Sequence, residues 1–197
     1  MNRKVEQGRV TREQLVATAT RLFADRGYED TSIEAVLHES DVSRGALYHH
    51  FAGKEALFEA VLDAVGVKIK EDLAAVTGDT DDAVAALRAG CLAWIRLATD
   101  PVVQRVLLID APSVLGWQRW RERDERDTLG MLKIALRAAA KAGRLRTELV
   151  DPFAHMLLAA LNEIAFVIAR AEDPDSAGRE GQAAVEELLE RLLGPAQ

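Results

Sequence analysis

Ser43, Arg44, Gly45, Tyr48 and His49 crowd into one short stretch, and together they carry the chemistry of a surface that reads a nucleic acid. A serine that caps a helix start leaves its hydroxyl and the free backbone amides beside it near a phosphate. An arginine next to it reaches a base edge, guanine most favourably, or else a neighbouring phosphate. A glycine lets the backbone approach closely. A tyrosine and a histidine further along the same helix would touch thymine methyls and phosphates. The pair His49-His50 does not suggest a metal site, because successive helical residues point about 100° apart and cannot chelate one ion.

These side chains need elements to hold them, and the surrounding pattern supplies three. Residues 31–58, TSIEAVLHESDVSRGALYHHFAGKEALF, read as a short helix, a tight turn, a second short helix and a Gly-Lys-Glu restart. That is the layout of a helix-turn-helix, whose second helix enters the major groove. Upstream, Thr11 followed by Gln14 has the form of a capping box, and Leu15, Val16, Ala19, Leu22 and Phe23 form one helical face. Gly27 suits a left-handed stop. Thr31 with Glu34 makes a second box before Ile33, Val36 and Leu37, and Val42, Leu47 and Phe51 give the third helix its buried side. Three such short helices close a core together that none could close alone. The division expected is a flexible tail at 1–10, a helix-turn-helix domain at 11–52, and a larger helical domain at 53–197.

Beyond Gly53 the periodicity stays helical. Leu57, Phe58, Val61, Leu62, Val65 and Ile69 share one face of a long helix that runs out of the first module, and Thr77-Gly78-Asp79 ends it. Val84, Leu87, Cys91, Trp94, Ile95 and Ala98 mark another. Asp100-Pro101 and Asp151-Pro152 read as Asp caps with proline at the first helical position. Between them lie a segment ending near Pro112 and a helical region from about Gly116 to Ala142, stopped by Gly143. The last amphipathic helix carries Val185, Leu188, Leu189 and Leu192. With β-branched alternation scarce, the fold class is all-α.

Composition narrows the function classes. A chain of 197 residues that is 49% hydrophobic can bury one large core, or one core with a small appended domain. A single cysteine, Cys91, excludes an internal disulfide framework and fits a reducing cytoplasm. The polar start MNRKVEQGRVTREQ lacks a signal-peptide core. The apolar run from Phe153 to Ala171 is broken by His155, Asn162, Glu163 and Arg170, which argues against a membrane span. A soluble, cytoplasmic protein is expected. The net charge of −7 runs against a DNA binder, whose footprint is usually basic. The cations are unevenly spread, however: Arg3, Lys4, Arg9 and Arg12 face only Glu6 in the first residues, and Arg44 and Lys54 flank the candidate recognition helix. A few well-placed cations suffice to meet phosphates while the outer face stays acidic.

The segments Thr11 to Phe23, Gly27-Tyr28, Thr31-Ser32-Ile33, Val42-Ser43-Arg44-Gly45, Leu47-Tyr48-His49-His50-Phe51 and Lys54-Glu55-Leu57 closely resemble the N-terminal domain of the tetracycline-repressor (TetR) family of bacterial regulators. The likeness covers about a quarter of the chain; the remainder shares only the helical layout. It implies a homodimeric, usually repressing transcription factor that binds double-stranded operator DNA, with a small-molecule site in the C-terminal domain. It also implies that Lys54 anchors the adjacent DNA strand and that Thr31, at the start of the second helix, sits near a phosphate. The DNA-contact set expected is thus Thr31, Ser43, Arg44, Gly45, Tyr48, His49 and Lys54.

In the larger domain the candidates are less specific. Trp94, Trp117 and Trp120 are the only tryptophans, with the last two on one helical face. They either pack a core, slightly the better reading, or wall a pocket for an organic ligand. The helix from Pro152 to Ala171 is apolar nearly all round, yet His155, Asn162 and Glu163 fall on one stripe that Phe166 and Arg170 roughly extend. Buried polar groups need partners, so the stripe faces a ligand, a partner chain or solvent. Ligand contacts are expected from Trp94, Trp117, Trp120, Asn162 and Phe166. In the resembling family the last two helices often pair between subunits, which points to His155, Leu158, Glu163, Val185, Leu188, Leu189 and Leu192 as dimer contacts. The charged run Gln118 to Asp127 reads as a solvated helix face paired at i,i+4, and Cys91 as a small buried filler.

No phosphate-cradling glycine loop, zinc spacing or nucleophile elbow is present, so no catalytic residues, metal or cofactor are expected beyond an unidentified small organic effector. The reading that results is a ligand-responsive dimeric DNA-binding regulator, a repressor released from a palindromic operator by a small molecule. The alternative is an all-helical small-molecule-binding or interaction protein without specific DNA binding.

Overall fold

A computed structural model of the chain describes residues 3–78 and 82–194. Met1 and Asn2 of the expected tail, and Asp79 of the Thr77-Gly78-Asp79 stop, lie outside the described residues. Among the described residues there is helix but no strand. The chain divides into two units, residues 1–68 with 101–114 and residues 69–100 with 115–197. The boundary expected at 52–53 therefore falls elsewhere: the first unit keeps the start of the following helix and recruits a segment from much further along.

The first unit begins with α1 (Arg3–Arg26), which runs straight through the residues expected to be a tail. Arg9 bridges Glu6 at 2.5 Å and Glu13 at 2.6 Å, the i,i+3 and i,i+4 pairing that supports an exposed helix. Thr11 is consequently mid-helix; its hydroxyl donates to the Gln7 carbonyl at 3.0 Å instead of capping. Gln14, its supposed box partner, donates to the Ser40 carbonyl at 2.7 Å and so ties α1 to the end of the next helix. Gly27 ends α1 at φ 82°, as its residue type suggests. α2 (Ile33–Ser40) and α3 (Arg44–His50) follow, each capped by serine: Ser32 Oγ accepts from the Ala35 amide and Ser43 Oγ from the Ala46 amide. Asp41, at φ 53°, makes the tight turn between them. α4 (Lys54–Thr77) is one uninterrupted helix.

The face foreseen on α1 is the one buried. Leu15, Val16, Ala19, Leu22 and Phe23 join Val36, Leu47, Phe51, Leu57 and Phe58 in the core. Phe23 meets Phe58 edge-on at 5.2 Å, and Tyr28 meets Phe58 at 4.9 Å. The recruited segment packs on α1 through a π-helical stretch, Val103–Asp110, which leads into α6 (Ala111–Leu115). Pro112 lies inside α6 and does not end the helical run, because its missing donor falls just where the hydrogen-bond register changes.

The second unit holds α5 (Ala83–Leu97), α7 (Trp117–Asp124), α8 (Gly130–Lys141), α9 (Val150–Ala169) and α10 (Pro174–Leu193). A π turn, Glu125–Leu129, joins α7 to α8, so the helical region expected from Gly116 to Ala142 is present with one widened turn. Gly116 (φ 81°) and Gly143 (φ 76°) bound it. α5 packs on α8, α9 and α10, and α9 on both α8 and α10. α10 comes close because it is small where it crosses: a Cβ on Gly178 would lie 2.7 Å from Thr99 Cγ2, and one on Gly181 2.7 Å from Ile164 Cγ2. Asp151 is not a cap, since α9 already begins at Val150 after a 3₁₀ turn; its carboxylate pairs with Lys133 at 3.2 Å. Asp-Pro starts occur at Asp100-Pro101, where the helical run opens on the proline as expected, and at Asp173-Pro174, where Asp173 accepts from the Ser176 amide at 2.9 Å. Among the described residues one stretch, Thr147–Ala169, is long and apolar enough to cross a membrane, with a mean hydropathy of 1.6. Its Ala154, Leu157, Leu158, Leu161, Ala165 and Ile168 are buried within the unit.

Candidate nucleic-acid interface and aromatic cluster

α3 is too short to be stable alone, and its conformation rests on the Ser43 cap and on Leu47, which is fully buried. With Leu47 facing in, Ser43, Arg44, Gly45, Tyr48 and His49 all face out. Nothing lies within 4 Å of a Cβ built on Gly45, so no contact inside the chain requires glycine there. Tyr48 leaves 48% of its surface exposed, an unusual placement for a ring that packing would otherwise bury. Arg44 is exposed but engaged: its guanidinium donates to Glu34 at 2.8 Å. The Glu34 backbone amide and then Arg44 hold that carboxyl below its ordinary range. Lys54, at the first turn of α4, donates to the Glu29 carbonyl at 3.2 Å with its ammonium 4.2 Å from the centre of the Tyr28 ring.

Thr31 departs from expectation. It is fully buried, and its hydroxyl donates to the Gly27 carbonyl at 2.8 Å and approaches the Leu22 carbonyl at 3.2 Å. Its hydroxyl is turned inward onto the carbonyls on either side of the end of α1, away from any phosphate. Ser32, exposed and capping α2, occupies the position at the helix start that Thr31 was expected to fill. The box Thr31-x-x-Glu34 and the true cap differ by one residue, and sequence spacing alone does not separate two adjacent hydroxyls. Sequence reasoning also missed Asp110 and Arg105. Asp110 is buried and accepts the Tyr28 backbone N–H at 2.7 Å, with Arg105 Nε 3.3 Å away.

In the second unit, three of the five expected ligand residues meet ring to ring. Trp117 stacks on Trp120 at 5.0 Å, and Phe166 lies 5.2 Å from Trp120 and 6.2 Å from Trp117. Trp120 and Phe166 are buried, whereas Trp117 is 55% exposed. Trp94 is half-buried on α5 and takes no part in this stack. Asn162, one turn before Phe166, donates to Asp124 at 2.5 Å. Burial pushes the Asp124 carboxyl up, while Asn162, Thr128 and Arg121 pull it back. Asp124 thus departs from the solvated face expected of the Gln118–Asp127 run. Its spacing from Trp117 and Trp120, at i+7 and i+4, was the signal that it shares their face. Two i,i+4 pairs of the run form, Arg121–Glu125 at 3.1 Å and Arg123–Asp127 at 3.9 Å, the second of them partly buried. A separate cleft of about 230 Å³, lined by Arg137, Lys141, Thr147 and Asp151, contains none of the expected ligand residues.

The polar stripe on α9 splits, because only Asn162 turns inward; His155 and Glu163 are exposed. Of the expected dimer contacts, Leu158, Val185 and Leu189 are buried inside their own unit and are unavailable to a partner. The apolar stripe of α10 is spent on α5 and α9. Leu188 is 42% exposed and Leu192 half-buried. Cys91 is buried, and desolvation pushes its thiol up to about 12, as befits an inert filler.

Two family models match the chain: bacterial regulatory proteins of the tetR family over residues 15–61, and the tetracyclin repressor-like C-terminal domain over residues 84–192. A crystal structure of a TetR-family transcriptional regulator from Pectobacterium atrosepticum is 31% identical, covers 100% of both chains and superposes with a TM-score of 0.84. The HTH-type transcriptional repressor AcnR of Corynebacterium efficiens is 24% identical over 155 residues, 75% of this chain and 76% of its own. The A-factor receptor protein of Streptomyces griseus is 43% identical over 53 residues, 27% of this chain; the chain spans only 19% of that relative's length.

Proposed function

Because this chain belongs to the TetR family of transcriptional regulators, we propose that it is a repressor that binds a palindromic operator as a homodimer and is released by a small organic effector. The observation that carries the DNA-binding part is α3 itself: Ser43, Arg44, Tyr48 and His49 are exposed on one helix whose apolar side is already spent on Leu47. In a two-fold dimer, two such helices would enter successive major grooves about 34 Å apart. Repression is favoured by the likeness to AcnR, itself a repressor. A cytoplasmic location accompanies this role, since the operator is there.

The dimer reading is supported by the outward faces of α9 and α10. Met156 and Val167 on α9 are 63% and 52% exposed, beside His155 and Glu163, and Leu188 is exposed on α10. The effector site is assigned to the stack of Trp117, Trp120 and Phe166, where the exposed Trp117 ring offers a flat face and Asn162 and Asp124 offer polar partners. The effector must prefer the DNA-incompetent state, since only differential affinity shifts a population.

The test is a salt titration of binding to DNA flanking the gene, with random duplex as competitor. A footprint over a palindrome, tighter than random duplex by roughly a thousandfold or more and weakening steeply with salt, supports the regulator. Affinity no better than for random duplex, followed by failure of selection from random sequence, overturns it. Trp117 fluorescence then serves to screen effectors.

A further inference from the structure

Among the described residues Asp110 is one of three buried polar residues, with Thr31 and Ser40, and none of the functions assigned so far uses it. It lies on the segment recruited from beyond residue 100, and its carboxylate accepts the backbone N–H of Tyr28 at 2.7 Å. Arg105, one π-helical turn earlier, holds the same carboxylate through Nε at 3.3 Å. The Arg105 guanidinium lies so close over Gly27 that any Cβ there would overlap it, and Gly27 itself stands at φ 82°. The turn after α1 is thus held by a charge-assisted hydrogen bond to its amide, with the Arg105 guanidinium lying over its glycine.

That turn supports Lys54, which stands at the first turn of α4. The ammonium of Lys54 sits 4.2 Å from the centre of the Tyr28 ring and donates to the carbonyl of Glu29, so both of its supports belong to residues adjoining the Gly27–Tyr28 peptide. The Tyr28 ring is in turn wedged against Phe23 and Phe58 at 5.7 and 4.9 Å. Without the carboxylate, the Tyr28 amide loses its acceptor, and the ring and carbonyl that seat Lys54 lose one of their anchors.

We infer that Asp110, braced by Arg105, is a positioning residue of the DNA-binding unit: it fixes the Gly27–Tyr28 turn and through it the seat of Lys54. The consequence for operator binding rests on the function proposed above; the consequence for Lys54 does not. Asp110→Ala is expected to weaken operator binding by roughly tenfold, the scale of one charge-assisted hydrogen bond. Asp110→Asn, which keeps an acceptor for the Tyr28 amide, restores most of that loss. In a double-mutant cycle the loss from Asp110→Ala shrinks to about twofold or less once Lys54→Ala is present, because the two act through one contact.

Two readouts need no DNA. The Lys54 methylene protons next to the ammonium should show an upfield ring-current shift from Tyr28 that disappears in Asp110→Ala and persists in Asp110→Asn. Amide exchange at Tyr28 should accelerate in the same order, at a temperature where unfolding curves show every variant folded. Unchanged Lys54 shifts and Tyr28 exchange in Asp110→Ala, or additive losses in the cycle, overturn the inference. If the wild-type protein does not discriminate operator from random duplex, the regulator reading fails on that control, and the two spectroscopic readouts still decide the role of Asp110.

Discussion

Two glycines on exposed-looking helices, Gly45 in the first unit and Gly181 in the second, show how differently the two units use the same residue. A Cβ on Gly45 meets open space, whereas one on Gly181 would press to 2.7 Å of Ile164 Cγ2 and 3.3 Å of Ile168 Cδ1. The first glycine keeps a surface clear for something outside the chain; the second lets α10 close on α9 inside it. The contrast extends to polar groups. The first unit turns Ser43, Arg44, Tyr48 and His49 outward from α3, while the second folds Asn162 inward onto Asp124 and buries Trp120 and Phe166 beside them. One unit presents its chemistry and the other encloses it.

Substituting the two glycines puts that contrast under the most direct strain. Gly45→Leu is expected to fold as the wild type does, gaining up to about 1 kcal/mol of helix propensity. Its operator affinity should drop by at least roughly tenfold, the worth of one good groove contact, as measured by competition footprinting. Gly181→Val should do the reverse. Overpacking against Ile164 costs about 1–3 kcal/mol in urea unfolding, while affinity measured on the folded fraction stays unchanged. If both variants lost stability and neither lost DNA binding, the division between presented and enclosed chemistry would be wrong.

Smaller effects sharpen the same division. Ser43→Ala removes the cap on α3 and should cost about 1 kcal/mol of stability, together with a modest loss of operator affinity. Ser43→Asp should restore the stability but not the affinity, since a carboxylate caps equally well and repels phosphate. In the enclosed unit, Asp124→Asn tests the buried pair. Burial raises the Asp124 carboxyl in the folded protein, so the folded state holds that proton to higher pH than the unfolded chain. Stability therefore falls as pH rises from the ordinary carboxylate value of 3.8 toward the raised one. The variant, which does not titrate, should gain on the wild type across that window and by a constant amount above it, as read from urea melts at stepped pH. A pH-independent difference would remove the buried carboxyl from the account. Smallest of all, Cys91, with its thiol pushed up to about 12, should resist alkylation at neutral pH until the protein unfolds.

Legibility also differed between the units, for a physical reason. The recognition segment is governed by neighbours in the chain: a cap, a turn and a buried leucine within one short run. Ser43 through His49 could therefore be placed from residue type and spacing. Thr31 was misplaced by one position because Thr31 and Ser32 are both competent caps. In the folded unit Thr31 turns in to the carbonyl of Gly27 while Ser32 caps α2. The supposed tail failed similarly. A polar, cation-rich start looks mobile, but its Arg9 pairs with Glu6 and Glu13, which only a helix brings together.

In the second unit periodicity showed which helices exist but not which apolar stripe faces which neighbour. Leu158, Val185 and Leu189 have the spacing of an interface, and the same spacing serves a core; their burial against α5, α8, α9 and α10 is a property of the packed unit. Asn162 showed from composition alone that it needed a partner, but Asp124 became that partner only when α7 and α9 were packed together.

By itself, the sequence determined the helical class, the helix-turn-helix and the exposed residues of its second helix, because caps, turns and 3.6-residue periodicity act over a few residues. Only the tertiary structure decided that residues 101–114 belong with the DNA-binding unit, that Asp110 grips the Tyr28 amide, and that Trp117, Trp120 and Phe166 meet. Those contacts join residues tens of positions apart. They arise from burying apolar faces together, and no local pattern specifies which faces will meet.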